Sequence, residues 1–346
     1  MLYKRLSWRF ALLEEPFMEI RFNPLLNQWV MVSSVRKKRP WRPKDFCPFC
    51  PGTEEMGIGW DVKYVRNKFP MLKDNPPKPK KNPPFKSAPS FGECLVLVET
   101  SEHNPEDLNA LGLEQMIKVV KMMQEITEKY MKHPKVNYVA IFRNKGKEIG
   151  VSLLHPHSQA YAMPFIPLRI RVELENSRKY FKRFGRCLFC DILSAEIEQK
   201  ERIIYSNNRF YAFLPYFANW PFEVHVYPKR HIQLLTQLND NEIRGLADIL
   251  RAVTASLNTL FNKSMPYVMT IHQAPVKGKW DYYHLHIEFY PILRDENKLK
   301  YAAGIEMGTW SFTYDFVPEE NAYRLREALR KALEKRKVDN LIGNIW

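Results

Sequence analysis

The chain has 346 residues, 45% of them hydrophobic, and a formal net charge of +15 at pH 7. This length and apolar content exclude a disordered chain and suit two ordinary domains, while the positive charge indicates anionic partners. Because no apolar run approaches the ~20 residues that cross a bilayer, and no secretion signal is recognisable at the N-terminus, we expect a cytoplasmic protein with no membrane segment.

Secondary-structure signals follow one order in the first half. A strand is predicted at residues 29–32, followed by a basic cluster at 36–41 that suits either a solvated loop or a phosphate-binding loop. The Pro- and Lys-rich residues 74–89 predict an exposed loop. The patterns then predict, in order, a strand at 93–99, a helix at 107–132, a strand at 136–142 and a strand carrying His155 and His157.

The second half repeats this order. Cys187 and Cys190 form a Cys-x-x-Cys pair that matches Cys47 and Cys50 of the first half. After it come, in order, a strand at 223–227, a helix at 239–261 with an Asn-Asp start, a strand at 267–272 and the histidine pair His284 and His286. A charged amphipathic helix is predicted at 319–337. So many features in one order indicate an internal duplication.

The duplication predicts an α+β fold. Each half would contain a mostly antiparallel sheet and one long helix, and the two similar halves would pack as a pseudo-dimer. We place the halves at residues 18–168 and 169–340.

The stretch His155-Pro156-His157 carries the clearest chemistry. In an extended strand, side chains two positions apart lie on one face, so both imidazoles and Gln159 would face the same way. Pro156 lacks a backbone N–H group and therefore predicts a sheet edge or a strand end, where a ligand has access. One imidazole could then bind a metal while the other reacts.

Each Cys-x-x-Cys pair has two histidines at corresponding positions of the repeat. The first set is Cys47, Cys50, His103 and His155, and the second set is Cys187, Cys190, His231 and His284. Because Cys2His2 is a closed shell typical of structural zinc, we expect two zinc sites. A single zinc on all four cysteines is an alternative that leaves the histidines unexplained, and a redox dithiol is another.

With His155 on zinc, His157 is left for chemistry. A neutral imidazole is a good nucleophile near pH 7, and its attack on phosphorus gives a phosphoramidate that can pass the group onward. Gln159 and Ser152 could donate hydrogen bonds to phosphoryl oxygens. The basic cluster could offset the negative charge that develops on the transferred group.

These residues lie in stretches that resemble the galactose-1-phosphate uridylyltransferases, a branch of the histidine-triad superfamily. The resemblance runs from about Met18 to Arg330 and rests on RFNPLLNQWVMVSSVRKKRPW, CPFCPG, FRNKGKEIGVSLLHPHSQ, PYFANWPFEVHVYPKRH and HLHIEFYPILR. It implies a duplicated histidine-triad-like fold, usually a homodimer. It also implies UDP-hexose and hexose 1-phosphate as partners, with ping-pong exchange of a uridylyl group between UDP-glucose and galactose 1-phosphate.

The resemblance further implies roles for individual residues. His157 would be the nucleophile and Gln159 its phosphoryl partner. The other implied contacts are Asn144 and Ser152 for phosphate or nucleotide, Asn67 for base or ribose, Arg36 and Arg39 for the phosphate side, and Lys300 and Glu306 for the sugar.

Three departures from the bacterial pattern of this family bear on specificity and metal content. Lys68 follows Asn67, where those enzymes have an acidic residue, so the preference for uridine or adenosine in the nucleotide is open. The segment KYAAGIEMGTWSFTYDF lacks the glutamine and one tyrosine of those enzymes, so the choice of hexose is open too. Those enzymes also lack the second Cys-x-x-Cys pair and place iron on a glutamate and three histidines. The matching residues are Glu173, His272, His284 and His286. We expect a second zinc, with iron as the alternative.

Three other functions compete with uridylyl exchange. An ADP-glucose phosphorylase would use the same His157, since the serine after His157 and the second cysteine pair are similar to a plant enzyme that acts on ADP-glucose. A histidine-triad nucleotide hydrolase would release mononucleotide to water. A zinc-knuckle nucleic-acid-binding protein is the third, but scattered basic residues and the lack of an RNA-binding motif argue against nucleic acid.

Overall fold

The computed structural model describes residues 17–38 and 46–346, and these ranges contain thirteen strands and six α-helices. The strands are β1 (Met18–Asn23), β2 (Gln28–Ser33), β3 (Lys63–Arg66), β4 (Ser87–Pro89), β5 (Glu93–Val98), β6 (Tyr138–Lys145), β7 (His157–Met163), β8 (Ile203–Ser206), β9 (Phe210–Phe213), β10 (Val224–Pro228), β11 (Tyr267–His272), β12 (His286–Pro291) and β13 (Asn344–Ile345). The helices are α1 (Leu113–Met131), α2 (Leu168–Phe184), α3 (Leu188–Gln199), α4 (Asp240–Leu260), α5 (Gly304–Thr309) and α6 (Pro318–Glu334).

Ten strands form one antiparallel sheet in the order β13-β8-β9-β10-β12-β11-β6-β7-β5-β3. At its centre β6 pairs with β11, from Ile141 opposite Ile271 to Lys145 opposite Tyr267. Outward from this seam, β7 and β5 follow on one side and their repeat counterparts β12 and β10 on the other. The duplicated α+β fold is therefore confirmed. The boundary between the halves at residues 168 and 169 stays a prediction, because one sheet runs through both.

Helices α1, α4 and α6 form a layer beside the sheet, and α4 contacts both of the others. Asn239 caps α4, since its side chain accepts from the backbone N–H of Glu242 at 3.0 Å while the Glu242 carboxylate accepts from the Asn239 N–H at 3.0 Å. Of the 21 residues of α4, 17 are buried, so this helix forms the centre of the core. Within the described ranges, every helix is too short or too polar to cross a membrane.

Strands β2, β1 and β4 form a separate three-stranded sheet. Strand β4 is the end of the Pro- and Lys-rich segment 74–89, and it pairs with β1 through Ala88 opposite Ile20. Most of this segment is exposed, as predicted, but its last residues are tied to the sheet.

Two predicted elements differ in detail from the observed ones. The predicted helix 107–132 is divided, because Asp107 caps a short 3-10 helix, Leu108–Ala110, and extended backbone at Leu111 separates it from α1. The strand after Pro156 begins at His157 and lies between β5 and β6, so Pro156 marks a strand end within the sheet and not a sheet edge. Helices α2 and α3 are absent from the predicted elements.

Candidate active site and metal centres

The first Cys2His2 set lies at the start of β7, and its four ligand atoms are within 4.8 Å of one another. Cys47 Sγ is 3.6 Å and Cys50 Sγ 3.8 Å from His155 Nδ1, while a sulfur and a nitrogen on tetrahedral zinc are about 3.6 Å apart. The Nε2–H of His155 donates to the Thr100 carbonyl at 2.8 Å and so turns Nδ1 toward the sulfurs. Burial lowers the pKa of His155, which favours the neutral ring that a metal requires. The set fits zinc.

The second Cys2His2 set has the same construction in the other half. Cys190 Sγ is 3.3 Å from both His231 Nδ1 and His284 Nδ1. Backbone carbonyls hold the Nε2 atoms of these histidines at 2.9 and 3.2 Å. Cys187 lies at the N-cap position of α3, and its hydrogen bond with Cys190 is the main cause that lowers the pKa of Cys187 and favours a thiolate. This set also fits zinc.

A third group of potential ligands lies between α2 and strands β11 and β12. Its members are Glu173, His272, His286 and Glu288, and their ligand atoms also lie within 4.8 Å of one another. His286 Nε2 is 3.3 Å from Glu288 Oε1, and His272 Nδ1 is 3.0 Å from Glu173 Oε1. The iron set inferred from the resemblance is not assembled, because His284 turns to Cys190 and Glu288 takes the fourth position.

His157 is the first residue of β7 and is partly buried. Its Nδ1–H donates to the His155 carbonyl at 2.8 Å, which places the lone pair of the neutral ring on Nε2. The Phe49 ring lies 5.4 Å from the His157 ring, centroid to centroid. Among the described residues, His157 belongs to none of the three ligand groups. The backbone carbonyl of His155, a member of the first Cys2His2 set, therefore sets the tautomer of His157.

The second half repeats this histidine arrangement, but there the second histidine is buried. The Nδ1–H of His286 donates to the His284 carbonyl at 2.9 Å, as His157 does to His155. However, His286 is only 1% exposed and its ring lies 4.9 Å from that of Phe189. Of the two histidine pairs, the first is therefore the one that a substrate can reach.

Two cavities, of 290 and 310 Å³, meet at His157. The 290 Å³ cavity, called here the first cavity, contains the predicted residues Asn67, Ser152 and Gln159 beside His157, together with aromatic rings from Phe46, Phe49 and Phe69. The 310 Å³ cavity, called the second cavity, contains Asn144. Four of the predicted substrate residues thus surround the proposed nucleophile.

The remaining predicted substrate residues lie elsewhere. Arg36 Nη1 donates to the Tyr161 hydroxyl at 3.4 Å, and Tyr161 lies about 13 Å along β7 from His157. Lys300 and Glu306 form an ion pair of 3.5 Å and line neither cavity. Lys300 follows β12, which is three strands or about 14 Å from β7. Arg39 lies outside the described residues.

A buried ionic network lies beneath the start of β7. Arg143 on β6 is 3.1 Å from Glu99 through Nε and 3.1 Å from Asp107 through Nη1, and all three side chains are at most 3% exposed. Ser158 donates to Glu99 Oε1 at 2.6 Å. Burial raises the pKa of Glu99; it also opposes ionisation of Asp107, but Lys145 and Arg143 hold the pKa of Asp107 below its usual value. The network therefore holds Ser158, which lies between His157 and Gln159 in the sequence.

Three acidic residues of the site have no place in the motifs: Glu55 in the first cavity, Glu99 in the network, and Glu288 in the third ligand group. The repeat does contain a signal for Glu288. It follows His286 by two residues, as Gln159 follows His157. Glu55 and Glu99 carry no comparable signal.

A histidine pair at a strand end, flanked by a Cys2His2 set and repeated in a duplicated α+β fold, defines a protein with two cysteine–histidine metal sets and one accessible histidine. The chain belongs to the galactose-1-phosphate uridyl transferase family. The model of its N-terminal domain matches residues 11–167, and that of its C-terminal domain matches residues 173–338.

Individual relatives agree with this assignment. Galactose-1-phosphate uridylyltransferase of Thermotoga maritima is 42% identical over 90% of this chain and 98% of its own length, and that of Haemophilus influenzae is 35% identical over 88% and 93%. A uridylyltransferase of known structure superposes with a TM-score of 0.86 at 43% identity, covering 91% of this chain and all of the other. An ADP-glucose phosphorylase from Arabidopsis thaliana is more distant, with a TM-score of 0.69 and 25% identity over 90% of this chain and 99% of the other.

Proposed function

We propose that the protein exchanges a uridylyl group between UDP-glucose and galactose 1-phosphate in galactose metabolism, as a UDP-glucose–hexose-1-phosphate uridylyltransferase. Family models over both halves and the names of the relatives support this reaction. The observation that carries the proposal is the position of His157, whose tautomer is set by the His155 carbonyl and whose ring borders two cavities.

The exchange consists of two displacements at one phosphorus. Nε2 of His157 attacks the α-phosphorus of UDP-glucose, so a P–N bond forms and the bond to the glucose 1-phosphate oxygen breaks. Galactose 1-phosphate then attacks the same phosphorus, the P–N bond breaks, and UDP-galactose leaves. The ring becomes positively charged while it holds the uridylyl group, and the His155 carbonyl at Nδ1–H stabilises that charge.

Neighbouring polar groups suit the phosphoryl oxygens, whose charge changes in each transition state. Gln159 and Ser152 lie with His157 in the first cavity, where they would donate hydrogen bonds to these oxygens. Asn67 and the aromatic rings of the same cavity suit the nucleoside. Asn144 in the second cavity suits the sugar phosphate that leaves or enters.

We assign structural zinc to both Cys2His2 sets. The sulfur–nitrogen distances of 3.3–3.8 Å and the carbonyls that orient the histidines support this assignment. Zinc bound at His155 would fix the carbonyl that orients His157, so the metal would position the nucleophile without contacting substrate. Cysteine thiolates as ligands also favour a reducing compartment, the cytoplasm.

The third ligand group suits a further divalent cation. Glu223 and Glu288 are buried and Glu173 beside them is half-buried, and Arg169 is the arginine that faces them, at 2.7 Å from Glu288 and 3.3 Å from Glu173. Three carboxylates against one guanidinium leave two negative charges to be offset by protonated histidines or by a metal. Two histidines and two carboxylates are donors that iron, manganese and zinc accept.

We further propose a homodimer in which a second copy supplies the sugar contacts. Lys300 and Glu306 follow β12, a strand about 14 Å across the sheet from β7 within one chain. The surrounding segment 301–317 exposes several large apolar side chains, with Tyr301 67%, Met307 68% and Trp310 55% exposed. An exposed apolar segment of this kind marks an interaction surface.

The reaction is tested by following label from UDP-glucose onto the protein without an acceptor. We expect an acid-labile uridylyl group on His157, released as UDP-galactose when galactose 1-phosphate is added. The variant His157→Ala should lose at least about 1000-fold in exchange rate while it keeps its metal content. His133→Ala, which lies in none of the three ligand groups, serves as the control.

Other results would point to the competing functions. Label from ADP-glucose on His157, released by inorganic phosphate, would indicate a phosphorylase. Steady release of mononucleotide to water would indicate a hydrolase, and salt-sensitive RNA binding that survives His157→Ala would indicate a nucleic-acid-binding protein. Near-normal exchange by His157→Ala would exclude a covalent intermediate at this residue.

A further inference from the structure

The first cavity contains one ion pair. Glu55 Oε2 is 2.7 Å from Lys68 Nζ, and both residues line the cavity that also contains His157. The Glu55 side chain is 13% exposed and that of Lys68 is 63% exposed. The carboxylate is therefore largely withdrawn from water, with its cation at the cavity mouth.

The position of Glu55 is set by the turn after the first cysteine pair. The Thr53 hydroxyl donates to the carbonyls of Pro48 at 2.9 Å and Cys50 at 3.0 Å, which ties the turn to the metal loop. The next residue after Glu55, Met56, is fully buried. The carboxylate is thus part of a fixed wall.

Asn67 supplies a second donor beside Lys68. Its backbone N–H donates to the Cys94 carbonyl at 2.8 Å, and its side-chain Oδ1 accepts from the Phe69 N–H at 2.9 Å. Among the described residues, no hydrogen bond uses the Asn67 amide nitrogen Nδ2. The wall therefore presents two donors, Asn67 and Lys68, and one acceptor, Glu55.

We propose that Glu55, Lys68 and Asn67 read the edge of the nucleotide base and select uracil over adenine. The proposal rests on the proposed function and adds its base specificity. The rings of Phe46, Phe49 and Phe69 can stack on any base, so stacking does not discriminate.

Hydrogen-bonding groups on the base edge do discriminate. Uracil presents two acceptors, O2 and O4, and one donor, N3–H, which matches the two donors and one acceptor of the wall. Adenine presents one acceptor, N1, and one donor, the exocyclic amine. It would leave one donor of the wall without a partner, and an unmatched polar group in a binding site costs affinity.

The test is the ratio of kcat/KM for UDP-glucose to that for ADP-glucose, in the wild type and in two variants. Lys68→Met removes a donor at similar length, and Glu55→Ala removes the acceptor. We expect each variant to lose about 10- to 100-fold with UDP-glucose and much less with ADP-glucose, so that the ratio falls at least about 10-fold. The controls are Glu54→Ala and Lys73→Met, two exposed residues outside the cavity, which should keep the ratio of the wild type.

Each outcome decides a separate point. A ratio that changes less than about twofold in both variants, or equal losses with both nucleotide sugars, would overturn base reading by this pair. Equal losses in Lys68→Met would mean that the lysine contacts phosphate. Uridylyl-His157 on the wild type shows that the proposed function holds in either case. If no nucleotidyl-protein forms, calorimetric affinities for UDP and ADP test the base selection by themselves.

Discussion

Replacement of Arg143 by methionine should destabilise the protein strongly, because it leaves two buried carboxylates without their shared cation. Arg143 is 3% exposed and lies 3.1 Å from both Glu99 and Asp107, which are 0% and 1% exposed. Asp107 keeps Lys145 at 3.5 Å as a cationic neighbour, but within residues 17–38 and 46–346 Glu99 keeps only the neutral hydroxyl of Ser158. Removing one partner of a buried pair typically costs about 3–5 kcal/mol of unfolding free energy.

The measurement is urea unfolding of wild type and variant at matched metal content. Arg244→Met is the control, because the Arg244–Glu114 pair has a similar distance of 2.9 Å but side chains that are 47% and 74% exposed. Such surface pairs are worth about 0–1 kcal/mol. The double variant Arg143→Met with Glu99→Gln should recover about 2 kcal/mol relative to Arg143→Met, because the neutral amide still accepts from Ser158.

A loss below about 1 kcal/mol in Arg143→Met, or a loss equal to that of Arg244→Met, would refute the reasoning. So would a double variant less stable than Arg143→Met. Since Glu99 also holds Ser158, we expect kcat to fall in Arg143→Met more than KM rises.

Two further predictions concern acid stability and metal content. Hydrogen bonds from Arg230 lower the pKa of Glu242, whose side chain is 3% exposed, so its contribution is present above the unfolded pKa of about 4.3 and lost as pH falls. Glu242→Gln should therefore be about 1–2 kcal/mol less stable than wild type in urea unfolding at pH 7 and nearly equal at pH 3; a gap that grows in acid would contradict this sign. His155→Ala should lose about one zinc per chain by elemental analysis and unfold at lower urea, whereas unchanged zinc would exclude His155 as a ligand.

The sequence is sufficient to identify both cysteine–histidine sets because each one repeats the other. A single Cys-x-x-Cys pair has several explanations, but Cys47 with His155 and Cys187 with His284 occupy matching places in two copies of one pattern. The structure brings the members of both sets together. The position of His157 beside them follows from the same repeat.

The third ligand group could not be derived from local pattern. The repeat marks Glu288 only as the counterpart of Gln159 and not as a metal ligand, and Glu173 lies on α2, more than 100 positions earlier. Their proximity depends on how α2 packs against the sheet. Helix α2 itself has a weak signal, since only Ile170, Leu174 and Ser177 of its 17 residues are buried and the remainder is largely charged.

The network around Arg143 illustrates the same limit. Glu99 follows six buried residues of β5 and is itself fully buried, whereas a charged residue after an apolar run usually marks the return of the chain to solvent. The cation of this cluster, Arg143, lies on β6, and its second carboxylate, Asp107, lies in the loop before α1. Such a cluster becomes visible only when the strand order is known.

Five residue pairs join β6 of the first half to β11 of the second half. The sheet of each half is therefore completed only by the other half. A polypeptide cut between residues 168 and 169 would give two fragments, each with a full-length strand whose backbone donors and acceptors have lost their partners. We expect such fragments to recombine when mixed and to aggregate when kept apart. Because the two halves are joined in one polypeptide, their sequences can differ. The pair His155 and His157 can therefore face substrate while the pair His284 and His286 is buried.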